Sequence, residues 1–296
     1  MEYNLKITNG IHIIIDYYHL FKSLVSLNKN VRINITIDYD TFLKNRNDVC
    51  TQYLKMYNSL VREIFCELQD NITFYDNYTN SNINFQLWNY SADDLLIEKN
   101  FVCIHANNFF KKYTIENIKV NYNYICINTK IVNSSQYYNN SFDKKYNFIE
   151  KYKSIKNALF SIINNSGISV ILLGERNIPE CNEYRPHNEI YGTYIMVDDF
   201  KKNINNLCDE TYNDSKDSYN IDLFKKSCYY LTHSKMNIFI GNGGGIHLYS
   251  NFLNTIQLGV KDRLLDWIDP INFETNMISA VDTDMFIDTV QQYLKK

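Results

Sequence analysis

Four of the nine glycines in this 296-residue chain, Gly241, Gly243, Gly244 and Gly245, fall within five positions, and no other feature constrains the fold as much. The residues before them, Asn237-Ile238-Phe239-Ile240, read as a buried β-strand, and residues 245–253 read as a helix. A loop without side chains between a strand and a helix lets the backbone approach a ligand closely. The unpaired N–H groups and positive end of the helix then favour an anion. The natural occupant is a phosphate or diphosphate; the competing explanation is a turn that needs glycine only to pack helix on strand. The spacing is not G-x-G-x-x-G with a following acidic residue, and no G-x-x-x-x-G-K-[ST] occurs, so neither a nicotinamide fingerprint nor an ATPase P-loop is supported.

The rest of the chain alternates strand-like and helix-like segments. Residues 3–7 form a strand candidate, Thr8-Asn9-Gly10 a turn, and a run through Leu20, Leu24 and Leu27 an amphipathic helix. Residues 31–37 form a second strand candidate. A helical pattern over residues 51–68 leads to short strand candidates at 72–75 and 101–105. The pattern restarts near Tyr122: strand 124–128, a polar loop to about Lys145, helix 146–164 closed by Gly167, and the continuous apolar strand Val170-Ile171-Leu172-Leu173-Gly174. Strand 194–197, helix 221–232, strand 236–240, strand 255–259 and helix 284–294 follow. This alternation predicts an α/β fold with parallel sheets, and the restart near Tyr122 divides it into two such domains, residues 1–120 and 121–296, with one large sheet as the alternative.

Bulk properties exclude several classes. Thirty basic residues face 33 acidic ones without a basic run interleaved with aromatics, so nucleic acid is not the expected partner. The apolar stretch of residues 11–15 contains His12 and stops at Asp16, too short and too polar for a signal core or a membrane span, which predicts a cytoplasmic protein. Seven cysteines without C-x-x-C spacing read as reduced thiols rather than as disulfides or a zinc site. Abundant Asn and 25 tyrosines are explained most simply by AT-rich codons.

Ligands of open α/β sheets bind outside the carboxyl ends of the strands, so loops at those ends should converge on the glycine run. Lys130, after strand 124–128, and Arg176, after strand 170–174, are the candidate cations for a diphosphate, with Arg176 suited to a bidentate contact; ordinary loop charge is the alternative for both. Asn242, Gly243, Gly244, Gly245 and His247 complete the candidate phosphate site, with Ser250 a weaker member. In the first domain His12, then Asp16, are the candidate bases for an acceptor hydroxyl; His19, Asp38, Asp40 and His105 are further polar groups on that side.

The order of elements resembles GT-B glycosyltransferases, most closely the bacterial heptosyltransferase-like group. The resemblance rests on Ile7-Thr8-Asn9-Gly10-Ile11, Val170-Ile171-Leu172-Leu173-Gly174, Phe239-Ile240-Gly241-Asn242-Gly243-Gly244-Gly245-Ile246-His247-Leu248 and Thr255-Ile256-Gln257-Leu258-Gly259. It implies two Rossmann-like domains facing a cleft, a nucleotide-sugar donor held by the second and a glycan or glycolipid acceptor by the first, with neither metal nor cofactor. Asp38-Tyr39-Asp40 and Asp282-Thr283-Asp284 have D-x-D spacing without a convincing loop setting. The family pattern places an acidic residue directly after its opening glycines, where this chain has Ile11-His12-Ile13, so the base stays open between His12 and Asp16. A nucleotide-sugar epimerase or hydrolase, and a non-catalytic nucleotide-sugar-binding protein, are the alternatives on the same architecture.

Overall fold

Strands β1 (Glu2–Ile7), β2 (Arg32–Ile37) and β3 (Ile72–Tyr75) pair in that order, all parallel, with Leu5 beside Ile35 and Ile35 beside Phe74. The computed structural model describes residues 2–7, 17–18, 21–22, 24–26, 28–37, 51–75, 123–132, 147–174, 193–208, 221–241, 254–259, 278–280 and 282–296. Tyr17, Tyr18, Phe21, Lys22 and residues 24–26 are helical and follow β1 in the chain, and α1 (Thr51–Ile64) precedes β3, so parallel strands are separated by helix as the crossover requires. The expected helix over 51–68 breaks at Phe65, where a short 3-10 turn (Cys66–Leu68) takes over. Phe65 is buried among Tyr18, Phe21 and Phe74, with ring centroids 5.8–6.4 Å apart. Beside it the Tyr18 hydroxyl donates to Glu67 (2.7 Å), and Lys22 donates to both Glu67 and Tyr18 (2.9 Å each).

The second sheet holds β4 (Tyr124–Asn128), β6 (Ser169–Leu173), β8 (Leu207–Cys208), β9 (Met236–Ile240), β10 (Thr255–Leu258) and β11 (Ile278–Ala280). Its spatial order is β11-β10-β9-β4-β6-β8, every pair parallel. Renumbered within the sheet from β4, this is 3-2-1-4-5-6, the doubly wound order in which the chain reverses direction of growth between β4 and β9. All five residues of β4 and of β9 are buried, as strands covered on both faces must be. One face meets α2 (Phe148–Ser166) and α5 (Thr283–Lys295): Ile125, Ile127, Val170, Leu172, Ile238 and Ile256 share a core with Tyr152, Leu159, Phe286 and Val290. The other face meets α4 (Ile221–His233), where Tyr124 packs edge-on to Tyr230 and donates to its carbonyl (3.0 Å).

Helix α2 buries Phe148, Tyr152, Ile155, Leu159 and Ile163, spaced four, three, four and four residues apart, along one stripe. Asn147 caps its start by accepting from the Glu150 amide (3.1 Å), and Gly167 ends it at φ 66°, the left-handed conformation expected there. Burying each large apolar side chain of that stripe contributes about 1.5–3 kcal/mol.

Two expectations fail between Asn128 and Asn203. The polar loop read after residue 128 contains a strand, β5 (Lys130–Val132), and the strand read at 194–197 is β7 (Thr193–Ile195), which lies outside the main sheet. These two pair antiparallel with each other, Lys130 beside Ile195. Val197 instead opens α3 (Val197–Asn203), with Asp198 and Asp199 in its first turn and Lys201 and Lys202 in its last, a distribution that complements the helix dipole. Three-residue strands carry no usable period, and only their pairing across about sixty positions makes them visible. The strand candidate at 101–105 and the helix at 245–253 lie outside the described residues.

Candidate functional site

The carboxyl ends of β6, β4, β9 and β10 lie side by side, and the residue following each is Gly174, Thr129, Gly241 and Gly259 respectively. Three of the chain's nine glycines thus occupy one rim, at and beside the point where strand order reverses. Gly174 (φ 114°) and Gly241 (φ 115°) adopt a conformation that side-chain-bearing residues rarely take. Gly259 is glycine for lack of space: a Cβ there would collide with the Gln257 amide and lie 2.6 Å from the Gly241 carbonyl oxygen. The rim is knitted by backbone bonds: Thr129 N–H to Leu173 O, Gly241 N–H to Leu258 O and Gly259 N–H to Ala280 O (2.9–3.0 Å).

Two buried amides hold the junction at which β9 enters the glycine run. Asn128 ends β4 and Gln257 lies in β10, on either side of β9 and on the sheet face that α4 covers. The Asn128 side chain accepts from the Ile240 N–H (2.7 Å) and donates to the Ile240 carbonyl (3.3 Å) and the Lys130 carbonyl (2.7 Å). Gln257 Nε2 donates to the Gly241 carbonyl (3.2 Å). The last residue of β9 and the first glycine of the run are therefore fixed from both neighbouring strands. At the other end of β9, Asn237 donates to the Leu231 carbonyl (3.1 Å) and accepts from Ser234 (2.6 Å), tying the end of α4 to the start of the strand. Asn and Gln inside otherwise apolar strands cost free energy unless hydrogen-bonded, and here that cost is offset by fixing backbone at the sheet edge.

Lys130 sits in β5, half-buried, one residue beyond Thr129, whose carbonyl accepts from the Met196 amide (2.8 Å). Its strand is anchored through β7 to a part-buried polar group. Asp199 of α3 accepts from the hydroxyls of Tyr194 (2.7 Å) and Tyr152 (3.2 Å) and pairs with Lys156 (3.0 Å). Burial alone would raise the Asp199 pKa, but the hydrogen bonds from Tyr194 and Lys156, the charge of Lys156 and the bond from Tyr152 outweigh it and hold it below its ordinary value. Burial and the same carboxylate push the Tyr194 hydroxyl up to about 12 and the Tyr152 hydroxyl higher still. Burial likewise raises the thiols of Cys126 and Cys228, which disfavours their reactive thiolate form.

Of the residues read from sequence as the site, the structure describes Lys130 and the first glycine of the cluster, Gly241. His12, Asp16, Arg176, Asn242, Gly243, Gly244, Gly245 and His247 lie outside the described residues, as do His19, Asp38, Asp40, His105 and Ser250. Asp282-Thr283-Asp284 has a structural role: Asp282 caps α5, accepting from the amides of Asp284 and Met285 (2.9 Å each). Sequence alone gives Asn128 and Gln257 no role. The signal that marks them is a carboxamide inside a strand whose neighbours are apolar, in Tyr-Ile-Cys-Ile-Asn and Thr-Ile-Gln-Leu.

The sheet order and the glycine rim define the class: an α/β protein with a doubly wound parallel sheet whose strand order reverses beside Gly241. No family model matches the chain, and no curated protein matches its sequence. Among solved structures the chain is similar to an E. coli heptosyltransferase, WaaC with ADP-2-deoxy-2-fluoro heptose, at 9% identity and a TM-score of 0.42, over 100% of this chain and 99% of that one. A score at that level assigns no family. No helix among the described residues is long and apolar enough to cross a membrane.

Proposed function

We propose that this protein is a GT-B-like glycosyltransferase that moves a sugar from a nucleotide-diphosphate donor to a hydroxyl of a glycan or glycolipid acceptor. The observation that carries the reading is the clamped entry to the glycine run: Asn128 and Gln257 hold Ile240 and Gly241 where the strand order reverses. In transfer from such a donor the bond from the sugar's anomeric carbon to the diphosphate breaks and negative charge grows on the departing oxygen. Backbone N–H groups fixed in advance stabilise that charge without reorganising at the moment of reaction. In this reading Asn242, Gly243, Gly244, Gly245 and His247 cradle the diphosphate, Lys130 and Arg176 offset its charge, and His12 or Asp16 takes the acceptor proton. Residues 1–120 bind the acceptor and residues 121–296 the donor, without a metal.

A thermal-shift screen against UDP-, GDP-, ADP- and CMP-sugars tests the reading. A ligand that binds only the folded state raises stability by RT ln(1 + [L]/Kd), so one nucleotide class should raise the melting midpoint selectively. No shift with any of them removes the proposal. Substituting Gly244→Val should abolish transfer by placing a branched side chain in the cradle, and intact binding and turnover in that variant would show that the run is merely a tight turn. A non-catalytic binding protein is favoured by one observation, Ile11-His12 where the family pattern has an acidic residue. It predicts donor binding with no product across an acceptor panel.

A further inference from the structure

Gln257 is fully buried and uses only half of its side chain. Its Nε2 donates to Gly241 O, whereas its Oε1 is the one buried side-chain oxygen or nitrogen among the described residues without a hydrogen-bond partner. The amide also has a fixed place. Its nitrogen meets the carbonyl of the first glycine of the run, and its carbon and nitrogen occupy the space that a side chain at residue 259 would fill. Oε1 belongs to the same rigid, planar group, so it too lies at the carboxyl-end rim of β9 and β10. Buried carboxamide oxygens are ordinarily satisfied, and an orphan at the edge where open α/β sheets bind ligands indicates a partner brought by the ligand.

We infer that Gln257 Oε1 is a recognition point of the proposed donor site and accepts a hydrogen bond from a sugar hydroxyl of the nucleotide-sugar, an assignment that rests on the glycosyltransferase reading. The chemistry narrows the partner. The diphosphate bridging two sugars is fully ionised near neutral pH, has no proton to donate and would be repelled by a carbonyl oxygen. Oε1 therefore pairs with a group flanking the diphosphate, and the nearest donors on either side are hydroxyls of the ribose and of the transferred sugar. The backbone of the glycine run holds the phosphates, and Gln257, one strand over, reads what is attached to them. No bond is made or broken in this step; the residue sets selectivity.

The experiment compares wild type with Gln257→Met, which keeps the length of the side chain and removes both the Oε1 acceptor and the Nε2 donor to Gly241 O, by calorimetry. The probes are inorganic pyrophosphate, the diphosphates UDP, GDP and ADP, their 2′,3′-dideoxy forms and their glucose conjugates. For the nucleotide that wild type prefers, Gln257→Met should weaken binding about tenfold more than it weakens pyrophosphate binding, the extra loss expected for one hydrogen bond to the ligand, while loss of the Nε2 bond to Gly241 O lowers the melting midpoint of the unliganded protein. Weakening shared by the diphosphate and its glucose conjugate, absent with the dideoxy form, assigns the ribose hydroxyls. Weakening confined to the conjugate assigns the transferred sugar. Equal affinity in wild type and variant overturns the inference, and so does a variant that loses nucleotide and pyrophosphate to the same degree, because Gln257 would then act only by holding Gly241. Independently of any variant, wild type that binds ribose and dideoxy forms alike and gains nothing from the attached glucose also overturns it. Wild type that binds none of the nucleotides defeats the glycosyltransferase reading itself, a result distinct from binding that is indifferent to residue 257.

Discussion

Asn128 illustrates how much a single side chain contributes at the sheet edge. Its amide serves the backbone of a strand 112 positions away and the carbonyl of Lys130 at once. Asn128→Leu keeps the volume but leaves the Ile240 amide and the Lys130 carbonyl without those bonds, which should cost about 1–3 kcal/mol in urea unfolding. Gly259→Ala acts differently, through sterics alone. The added methyl must displace the Gln257 amide or the Gly241 carbonyl, and a loss of about 1–3 kcal/mol is expected by the same measurement. Had these positions been tolerant, the rim would be an ordinary set of strand ends.

At the scale of elements, one carboxylate ties β7 and α3 to α2. Asp199 joins α2, β7 and α3 through Tyr152, Tyr194 and Lys156. Its folded pKa is lowered, so its contribution to stability is present above the ordinary carboxylate value near 4 and is lost as pH falls through the lower folded value. Tyr194, raised to about 12, acts in the opposite direction: its contribution is complete below about pH 10 and is lost as pH climbs from there to about 12. Asp199→Asn should therefore lower the urea midpoint at pH 7 and flatten its fall on acidification. An unchanged acid limb would show that other carboxylates govern it.

For the molecule as a whole, the sheet of β1–β3 and the sheet of β4, β6 and β8–β11 are linked through helices α1 and α4, where Lys225 and Glu63 pair at 3.0 Å. Both side chains are about one-third exposed, and an ion pair in that setting contributes little. Lys225→Ala should shift stability by less than about 1 kcal/mol and leave donor binding unaltered, measured by thermal unfolding and calorimetry.

Strand 124–128, helix 148–166 with its Gly167 cap, strand 169–173 and strand 236–240 were all legible in the chain to within a residue or two. Each is a local pattern: an apolar run or a stripe with a stop signal, set by burial against whatever lies above and below. The α/β class with parallel sheets follows from their alternation and needs no knowledge of which strand sits beside which. That last question was decided only by the tertiary structure. Strands β5, β7, β8 and β11 are two or three residues long and exist because a partner strand supplies their hydrogen bonds. The candidate site divides in the same way. The glycine run announced itself by composition in a glycine-poor chain, and Lys130 by its place after a strand. Asn128 and Gln257 are unremarkable polar letters until the order β10-β9-β4 sets one on each side of Ile240 and Gly241. A carboxamide's role is fixed by what its oxygen and nitrogen meet across strands, and those meetings are made by sheet order rather than by sequence neighbours.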